Sequence, residues 1–508
     1  MKLKEFLPYE ETFLVGNENV EILGLSYDSR KTDKGFLFFA LSGHNTDGKK
    51  YVDEVRLKGA AAVVVEREIQ NCLMPQIVAK NIKSFMAYCA AKFYDNPDKH
   101  LTIIAITGTN GKTTISYLVE SILKNSKVDC GVIGTINYRY KNKIMSADNT
   151  TPQSLDIYKF MRELCNEKIK YLIMEVSSHS LMLERVKGIE FDCAVWTNLT
   201  QDHLDFHKNM ENYFLAKSLL FTELKVTNKG NKKYAVINAD DKYGKKLLKF
   251  NICANFVLYS IKDNKAAFKA ENVKILKDRT KFNLIFENKN EEVILGLVGI
   301  HNIYNVLAAF SAAFSVGIPF EKCLEGLRNL KQVPGRLEKV DIGNLEFQIV
   351  VDYAHTEDAL KNVLTALREL KPKKLITVFG CGGDRDRMKR ALMGKAATKM
   401  SDFVFVTSDN PRTEDPETII LDIEFGIKKI EKSNYKVIVD REMAIKEAVD
   451  LATKNDIVLI AGKGHENYQI IGKEKIHFDD TEVARKYAKL KEEGLARENA
   501  NPQGEFNF

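Results

Sequence analysis

Short runs of β-branched and aliphatic residues alternate with longer stretches whose apolar positions recur every three or four residues. The runs fall at 62–65, 101–107, 171–176, 193–199, 234–238, 348–352, 374–379, 402–407, 437–440 and 457–461. Nearly continuous apolar strands with helices between them predict parallel sheets covered on both faces. Connections of that kind give doubly wound α/β layers, whose ligands sit outside the carboxyl ends of the strands. Two punctuations divide the chain: Asn96-Pro97-Asp98-Lys99-His100 ahead of the run at 101–107, and Val333-Pro334-Gly335-Arg336 ahead of the run at 348–352. Pro and Gly at both points suit linkers, so the expected domains are 1–98, 99–332 and 333–508. The polar tail from Glu492 is expected to fray.

Composition sharpens this picture by exclusion. At about 150 residues per domain, 508 residues imply roughly three domains. With 44% hydrophobic and 29% charged residues and only 10 Pro, the chain is neither a fibrous repeat nor a disordered polymer. Lys plus Arg (76) exceed Asp plus Glu (69) by 7, and no basic block accompanies the excess, so no nucleic-acid partner is expected. Eight cysteines are scattered without a CxxC pair, which fits reduced thiols in a cytoplasm. The apolar stretches at 60–65 and 101–106 have strand length and fall far short of a membrane span. A cytoplasmic protein without membrane insertion is expected.

The strongest chemical signal is Thr107-Gly108-Thr109-Asn110-Gly111-Lys112-Thr113-Thr114, placed between an apolar strand and a helical pattern. In that setting backbone N–H groups and the helix N-terminus cradle phosphate oxygens. Lys112 is expected to neutralise the β- and γ-phosphates of ATP and the Thr113 hydroxyl to reach Mg²⁺. The loop departs from the common pattern, because Ile106 stands where a further Gly is usual. Glu175, at a strand end, and the segment Asp202-His203-Leu204-Asp205-Phe206-His207, after another strand, add carboxylate and imidazole groups suited to a divalent ion beside phosphates. No Asn-Lys-x-Asp base-recognition motif follows a strand, which disfavours a GTPase switch.

Taken together, 107–114, Asn198-Leu-Thr-Gln-Asp-His-Leu-Asp205, Gly299-Ile-His-Asn302-Ile-Tyr-Asn305, Pro334-Gly-Arg336 and Asp352-Tyr-Ala-His355 resemble the Mur ligases, ATP-dependent amide-bond-forming enzymes of peptidoglycan synthesis. The resemblance covers residues 20 to 480 and implies three domains. These are a small N-terminal α/β domain that binds a UDP-sugar, a P-loop-type central ATPase domain with a parallel sheet, and a C-terminal Rossmann-like domain that binds the amino acid. It implies that Gly108, Thr109, Asn110, Gly111, Lys112, Thr113 and Thr114 hold the phosphates and that Asn302, Asn305, Arg336, Asp352 and His355 contact the adenosine end. Ser29, His44, Asn45 and Thr46 would hold the uridine diphosphate, and Asn149, Thr150, Thr151, Ser177 and Arg185 the muramoyl-dipeptide. Lys217 matches a position that the family carries as a carbamylated lysine, which with Thr113, Glu175 and His203 would bind metal. The local sequence alone does not reveal that role. Family members are commonly monomeric.

Within the family, the resemblance is closest to the branch that adds the third residue of the stem peptide. Asp409-Asn410-Pro411-Arg412 follows a strand, and a guanidinium there offers a planar fork for a carboxylate. Meso-diaminopimelate differs from lysine by such a carboxylate at its far end, so the tetrad implies the diaminopimelate-adding branch. Arg390 is expected to be the second arginine of that site, with Gly462 and Glu466 at the α-amino end. Meso-lanthionine carries the same end groups and remains an alternative third residue, as does L-lysine on a weaker footing. A non-ligase, ATP-driven switch protein is the alternative from another functional class.

Overall fold

The structure, a computed structural model, describes residues 1–43, 47–224, 230, 232–276 and 279–500. Among these residues the strands form three sheets and one separate hairpin, in chain order. The first sheet contains β1 (Thr12–Val15), β2 (Gly24–Ser26), β3 (Phe36–Phe39), β4 (Ala62–Val65) and β5 (Gln76–Ala79). Its spatial order is β1-β5-β4-β3-β2, parallel except for β1.

The second sheet contains β6 (Thr102–Thr107), β7 (Cys130–Ile133), β8 (Asn137–Tyr140), β9 (Lys143–Ser146), β10 (Tyr171–Glu175), β11 (Cys193–Trp196), β12 (Tyr234–Asn238), β13 (Asn255–Ser260), β14 (Phe268–Ile275), β15 (Thr280–Phe286) and β16 (Lys289–Leu295). Its order is β16-β15-β14-β13-β12-β11-β6-β10-β7-β8-β9. Strand β6 lies between β11 and β10, where the strand order reverses, so a crevice opens at its carboxyl end. Its unbroken apolar run is explained by burial on both faces. Ile103 and Ala105 join one core, Ile104 and Ile106 the other, as a period of two requires.

The third sheet contains β17 (Glu338–Lys339), β18 (Gln348–Asp352), β19 (Leu375–Phe379), β20 (Phe403–Val406), β21 (Tyr435–Val437) and β22 (Ile457–Ala461), in the order β17-β18-β22-β19-β20-β21. It is parallel except for β17. The hairpin β23 (Tyr468–Ile471) and β24 (Glu474–His477) follows β22 and precedes the helix Asp480–Ala500.

Three expectations change. The second sheet is parallel only in its middle, since β8, β9, β15 and β16 extend both edges antiparallel. The strand expected at 437–440 ends at Val437, because the Asp440 carboxylate caps the helix Arg441–Leu451 by accepting from the Met443 N–H at 2.9 Å. The tail does not fray at Glu492, which lies within the last helix and accepts from the Asn344 N–H at 2.9 Å. Among the described residues no helix is long and apolar enough to cross a membrane.

Candidate active site

The loop after β6 is held open by two glycines. Gly108 has φ +143°, and a Cβ there would lie 1.8 Å from Thr197 Oγ1. Gly111 has φ +92°, and its Cβ would meet Asn305 Oδ1 at 2.4 Å. Asn198, beyond β11, pins the loop from the side: its carbonyl accepts from the Thr109 N–H at 2.9 Å and its Oδ1 from the Asn110 N–H at 3.0 Å. Helix Lys112–Asn125 then starts at the crevice with its N-terminal dipole and free N–H groups pointing into it. Lys112 Nζ donates to the carbonyls of Gly108 and Thr109, both at 2.9 Å. Burial lowers its pKa, opposed by Glu175 and Asp202.

Thr113 Oγ1 donates to Glu175 Oε2 at 2.9 Å, so hydroxyl and carboxylate meet at the carboxyl ends of β6 and β10. Thr135 N–H donates to Glu175 Oε1 at 3.1 Å and fixes the carboxylate's plane. On the opposite wall Lys217 is 1% exposed and donates to the Gly108 carbonyl at 2.9 Å. Among the described residues it has no carboxylate within ion-pair distance, and the Tyr213 ring centroid lies 4.9 Å from its Nζ. Burial, reinforced by Lys112, holds its pKa well below the ordinary lysine value. His203, in a left-handed conformation at φ 55°, lies with Nε2 3.3 Å from Asp202 Oδ2 and its ring 4.9 Å from that of His179. Burial pushes His203 down to about 3 against the pull of Asp202, so its imidazole is neutral. Among the described residues no three His, Cys, Asp or Glu side chains converge as a ready metal cage. Thr113 with Glu175, and His203 with Lys217, instead flank the loop from two sides.

The third sheet closes this crevice. Asp202 Oδ2 is 3.8 Å from His355 Nε2, Asn110 Nδ2 donates to Asp358 Oδ2 at 2.9 Å, and Arg336 Nη2 donates to Thr113 Oγ1 at 3.2 Å. The resulting cleft has a volume of about 590 Å³ and is lined by Thr109 to Thr114, Thr150, His203, Asn302, Asn305, Arg336, Asp352 and His355. Asn305 Nδ2 donates to Asn302 Oδ1 at 3.0 Å, and Arg336 stacks on Tyr353 with 4.5 Å to the ring centroid. The Asp352 carboxylate accepts from the N–H groups of Leu337 (2.7 Å) and Ala354 (2.8 Å), yet burial raises its pKa to about 6, opposed by Arg336. Asp240 and Tyr304, bonded at 2.8 Å, also line the cleft. Neither was singled out from the sequence: Asp240 belongs to no recognisable local motif, and Tyr304 stands within the 299–305 motif, where only Asn302 and Asn305 were assigned a role.

Around the far side of Glu175, Thr150 Oγ1 is 3.1 Å from Thr135 Oγ1, Thr151 Oγ1 donates to the Glu175 carbonyl at 2.8 Å, and Arg185 Nη1 donates to the Thr151 carbonyl at 2.9 Å. The Asn149 carbonyl accepts from Tyr138 OH, and Ser177 Oγ caps a short helix by accepting from the Ser180 N–H at 3.1 Å. Ser29 belongs to the first-sheet unit, where Lys58 Nζ donates to its carbonyl at 2.7 Å. His44, Asn45 and Thr46 lie outside the described residues.

At the carboxyl end of the third sheet, Arg412 (φ 53°) donates its backbone N–H to the Ile470 carbonyl at 3.0 Å and Nη1 to the Gly383 carbonyl at 2.8 Å. Asn410 Nδ2 donates to Glu466 Oε2 at 2.7 Å, and its Oδ1 accepts from the Ile470 N–H at 2.9 Å. Pro411 turns its carbonyl onto Gly383, where a Cβ would sit 1.9 Å away, and Gly462 packs against Asp409 with 2.5 Å left for a Cβ. Burial and Asp409 raise the Glu466 pKa. The Arg390 expectation requires correction. Its guanidinium is 0% exposed and committed to Glu414 (2.7 and 2.9 Å) and Asp422 (2.9 Å). The arginine that instead accompanies Arg412 is Arg385, which shares its electrostatic field and lines the same Gly382. Among the described residues neither Arg385 nor Arg412 has a carboxylate within ion-pair distance. In the sequence, Arg385 and Arg390 stand in one basic stretch, and the direction of each side chain could not be told.

Fold and site define a phosphate-loop α/β protein whose nucleotide crevice is shared with a second parallel sheet bearing unpaired arginines. Residues 106–313 match the Mur ligase middle domain, 335–464 the Mur ligase glutamate ligase domain and 21–94 the Mur ligase family catalytic domain. The chain is 45% identical over 496 residues to UDP-N-acetylmuramoyl-L-alanyl-D-glutamate–2,6-diaminopimelate ligase 1 of Clostridium acetobutylicum, covering 96% of this chain and 99% of the relative. A solved UDP-N-acetylmuramoyl-L-alanyl-D-glutamate–2,6-diaminopimelate ligase superposes with TM-score 0.67 at 34% identity, over 97% of this chain and 99% of that one. The fold also matches the MurF ligase of Thermotoga maritima, solved with ADP, at TM-score 0.64 and 18% identity, over 94% of this chain and 99% of that one. The chain belongs to the Mur ligase family.

Proposed function

We propose that this chain is an ATP-dependent ligase that adds meso-diaminopimelate to the D-glutamyl residue of UDP-N-acetylmuramoyl-L-alanyl-D-glutamate, a step of peptidoglycan precursor synthesis in the cytoplasm. It acts as a monomer in three domains, 1–98, 99–332 and 333–508. The observation that carries the reading is the unpaired Arg385 and Arg412 at the carboxyl end of the third sheet, the same sheet that closes the crevice holding Lys112. Two adjacent guanidiniums without a protein anion leave a site complementary to a carboxylate. The 45% identity to a named diaminopimelate ligase supports the same substrate.

The loop from Gly108 to Thr114 holds the ATP phosphates, while Asn302, Asn305, Arg336, Asp352 and His355 face the adenosine end. Thr150, Thr151, Ser177 and Arg185 gather on the other side of Glu175, where the dipeptide's D-glutamyl end must lie. The γ-carboxylate oxygen attacks the γ-phosphorus, and ADP leaves. The amine nitrogen of the incoming residue then attacks the carbonyl carbon of the acyl phosphate, and phosphate departs with the carboxylate oxygen. Lys112 and the helix N-terminus stabilise the charge spread over the phosphoryl oxygens. Lys217 fits carbamylation: buried and pushed toward its neutral form, its nitrogen can attack CO₂, lose a proton and become a carboxylate. That anion, with Thr113, Glu175 and neutral His203, makes a donor set suited to Mg²⁺. Mg²⁺ bound there supplies positive charge to the phosphate oxygens.

Phosphate release from ATP with the UDP-muramoyl-dipeptide present tests the reading, adding diaminopimelate, lanthionine, lysine or no amino acid in turn. Turnover with the diacids and little with lysine is expected. Equal or faster turnover with lysine removes the substrate assignment, and turnover without any amino acid removes the ligase assignment.

A further inference from the structure

Arg441 stands where elementary electrostatics disfavours it. It opens the helix Arg441–Leu451, so a cation occupies the positive end of a helix dipole. Its side chain is also 0% exposed, as is that of its partner Asp480. A buried ion pair recovers its desolvation cost only with complete, well-aligned hydrogen bonding, and adds little stability over an apolar pair even then. The guanidinium comes near that condition, with four of its five N–H groups engaged. Nε donates to Asp480 Oδ1 and Nη2 to Asp480 Oδ2, both at 2.7 Å. The fork also reaches beyond the pair: Nη2 donates in addition to the Ala461 carbonyl at 3.1 Å, and Nη1 to the Ser408 carbonyl at 3.4 Å.

Those two carbonyls are not ordinary strand positions. Ser408 immediately precedes Asp409 to Arg412, and Ala461, the last residue of β22, immediately precedes Gly462 to Glu466. The strands β20 and β22 are not neighbours, because β19 lies between them. The sheet's own ladder therefore does not tie one loop directly to the other; at their tips the Asn410–Glu466 hydrogen bond joins them, and at their bases the tie must come from elsewhere. Arg441 spans the gap, and Asp480 anchors it to the start of the last helix, just after the hairpin that supports the same site. That hairpin holds the loop from the other side, through Gln469 Nε2 to the Asp409 carbonyl at 2.7 Å and the Gly472 N–H to the Arg412 carbonyl at 2.7 Å. The field of Arg441 also reaches Asp409 and Glu466.

We propose that the buried Arg441–Asp480 pair is the positioning device of the amino-acid site, setting the distance between the Asp409–Arg412 loop and the Gly462–Glu466 loop. The inference rests on the proposed reading of that site. The fork geometry matters, not merely the charge, since one planar group must reach a carboxylate and two carbonyls at once. Neither residue touches the nucleotide cleft, so loss of the pair acts on one substrate alone.

The test measures KM for diaminopimelate and for ATP separately in Arg441→Lys and Asp480→Asn, with circular dichroism to confirm the fold. The expected result is a rise in KM for diaminopimelate of about ten- to a hundred-fold, as small misplacements of a binding group produce. KM for ATP and kcat at saturating diaminopimelate stay within about three-fold. A folded variant with unchanged KM for diaminopimelate overturns the proposal, and so does a parallel rise in both KM values, which marks a merely structural pair. Should Arg441→Lys fail to fold, Asp480→Asn, which keeps volume and one acceptor oxygen, gives the same decision. Wild-type turnover that ignores diaminopimelate counts against the proposed function itself, so the two failures are told apart before any variant is made.

Discussion

Arg412 and Arg390 are both arginines near the carboxyl end of one sheet, yet their surroundings assign them opposite roles. Arg412 has carbonyl contacts only, whereas Arg390 neutralises Glu414 and Asp422. Replacing Arg412 with Asn is expected to lower kcat/KM for the diacid by about a hundred-fold or more, as loss of charge-assisted hydrogen bonds implies. Turnover of lysine should change little. Arg390→Met removes a fully buried guanidinium from Glu414 and from Asp422, which keeps Arg387 as a partner, so denaturant unfolding should show a loss of about 1–3 kcal/mol. Asp352 has the reverse balance. With its pKa raised to about 6 by burial, the native state binds a proton more tightly than the unfolded chain between about pH 4 and 6. Its ionised form therefore costs stability above that window, and stability recovers as pH falls through it. The stability of Asp352→Asn relative to the parent should therefore fall by about 1–3 kcal/mol between pH 8 and pH 4, as the parent's carboxyl takes up its proton. The same variant should raise KM for ATP. A relative stability that does not change between the two pH values contradicts this view of the carboxylate.

At the scale of elements, the phosphate loop was legible because each of its features is local. An apolar strand, two glycines and a helix start lie within a dozen residues, and the structure adds the reason for the glycines. Gly108→Ala would drive a Cβ to 1.8 Å from Thr197 Oγ1, so ADP binding measured by calorimetry should weaken at least about a hundred-fold. The buried parallel strands were legible for a similar reason, since double-sided burial leaves an unbroken apolar run. The antiparallel edges and the hairpin β23–β24 were not. Glu474 to His477 are exposed and mostly polar, so their sequence carries no apolar alternation to read. That hairpin nevertheless receives the Arg412 N–H on the Ile470 carbonyl, and the support for the amino-acid site lies in long-range contacts that no local pattern announces. The commitment of Arg390 to Glu414, 24 residues further along the chain, escaped for the same reason.

At the scale of the whole molecule, the cleft is one site made of two sheets, joined through Asp202 with His355, Asn110 with Asp358 and Thr113 with Arg336. Closing the crevice in this way keeps a reactive acyl phosphate from water. Burial also makes the fold acid-sensitive. His207, 4% exposed and 2.8 Å from Ser178 Oγ, is pushed down to about 4, chiefly by desolvation. Between about pH 6.5 and 4 the unfolded chain binds a proton there that the native state does not, so stability is lost as pH falls. His207→Gln should flatten that slope in denaturant melts at pH 5 and 7. The most direct measurement of the shared cleft labels the D-glutamyl γ-carboxylate of the dipeptide with ¹⁸O and follows the label during turnover with diaminopimelate. One labelled oxygen should appear in each inorganic phosphate released, because the carboxylate oxygen that attacked phosphorus leaves with it. Stoichiometric phosphate without label would mean that water, not the dipeptide, takes the phosphoryl group, and would contradict the account.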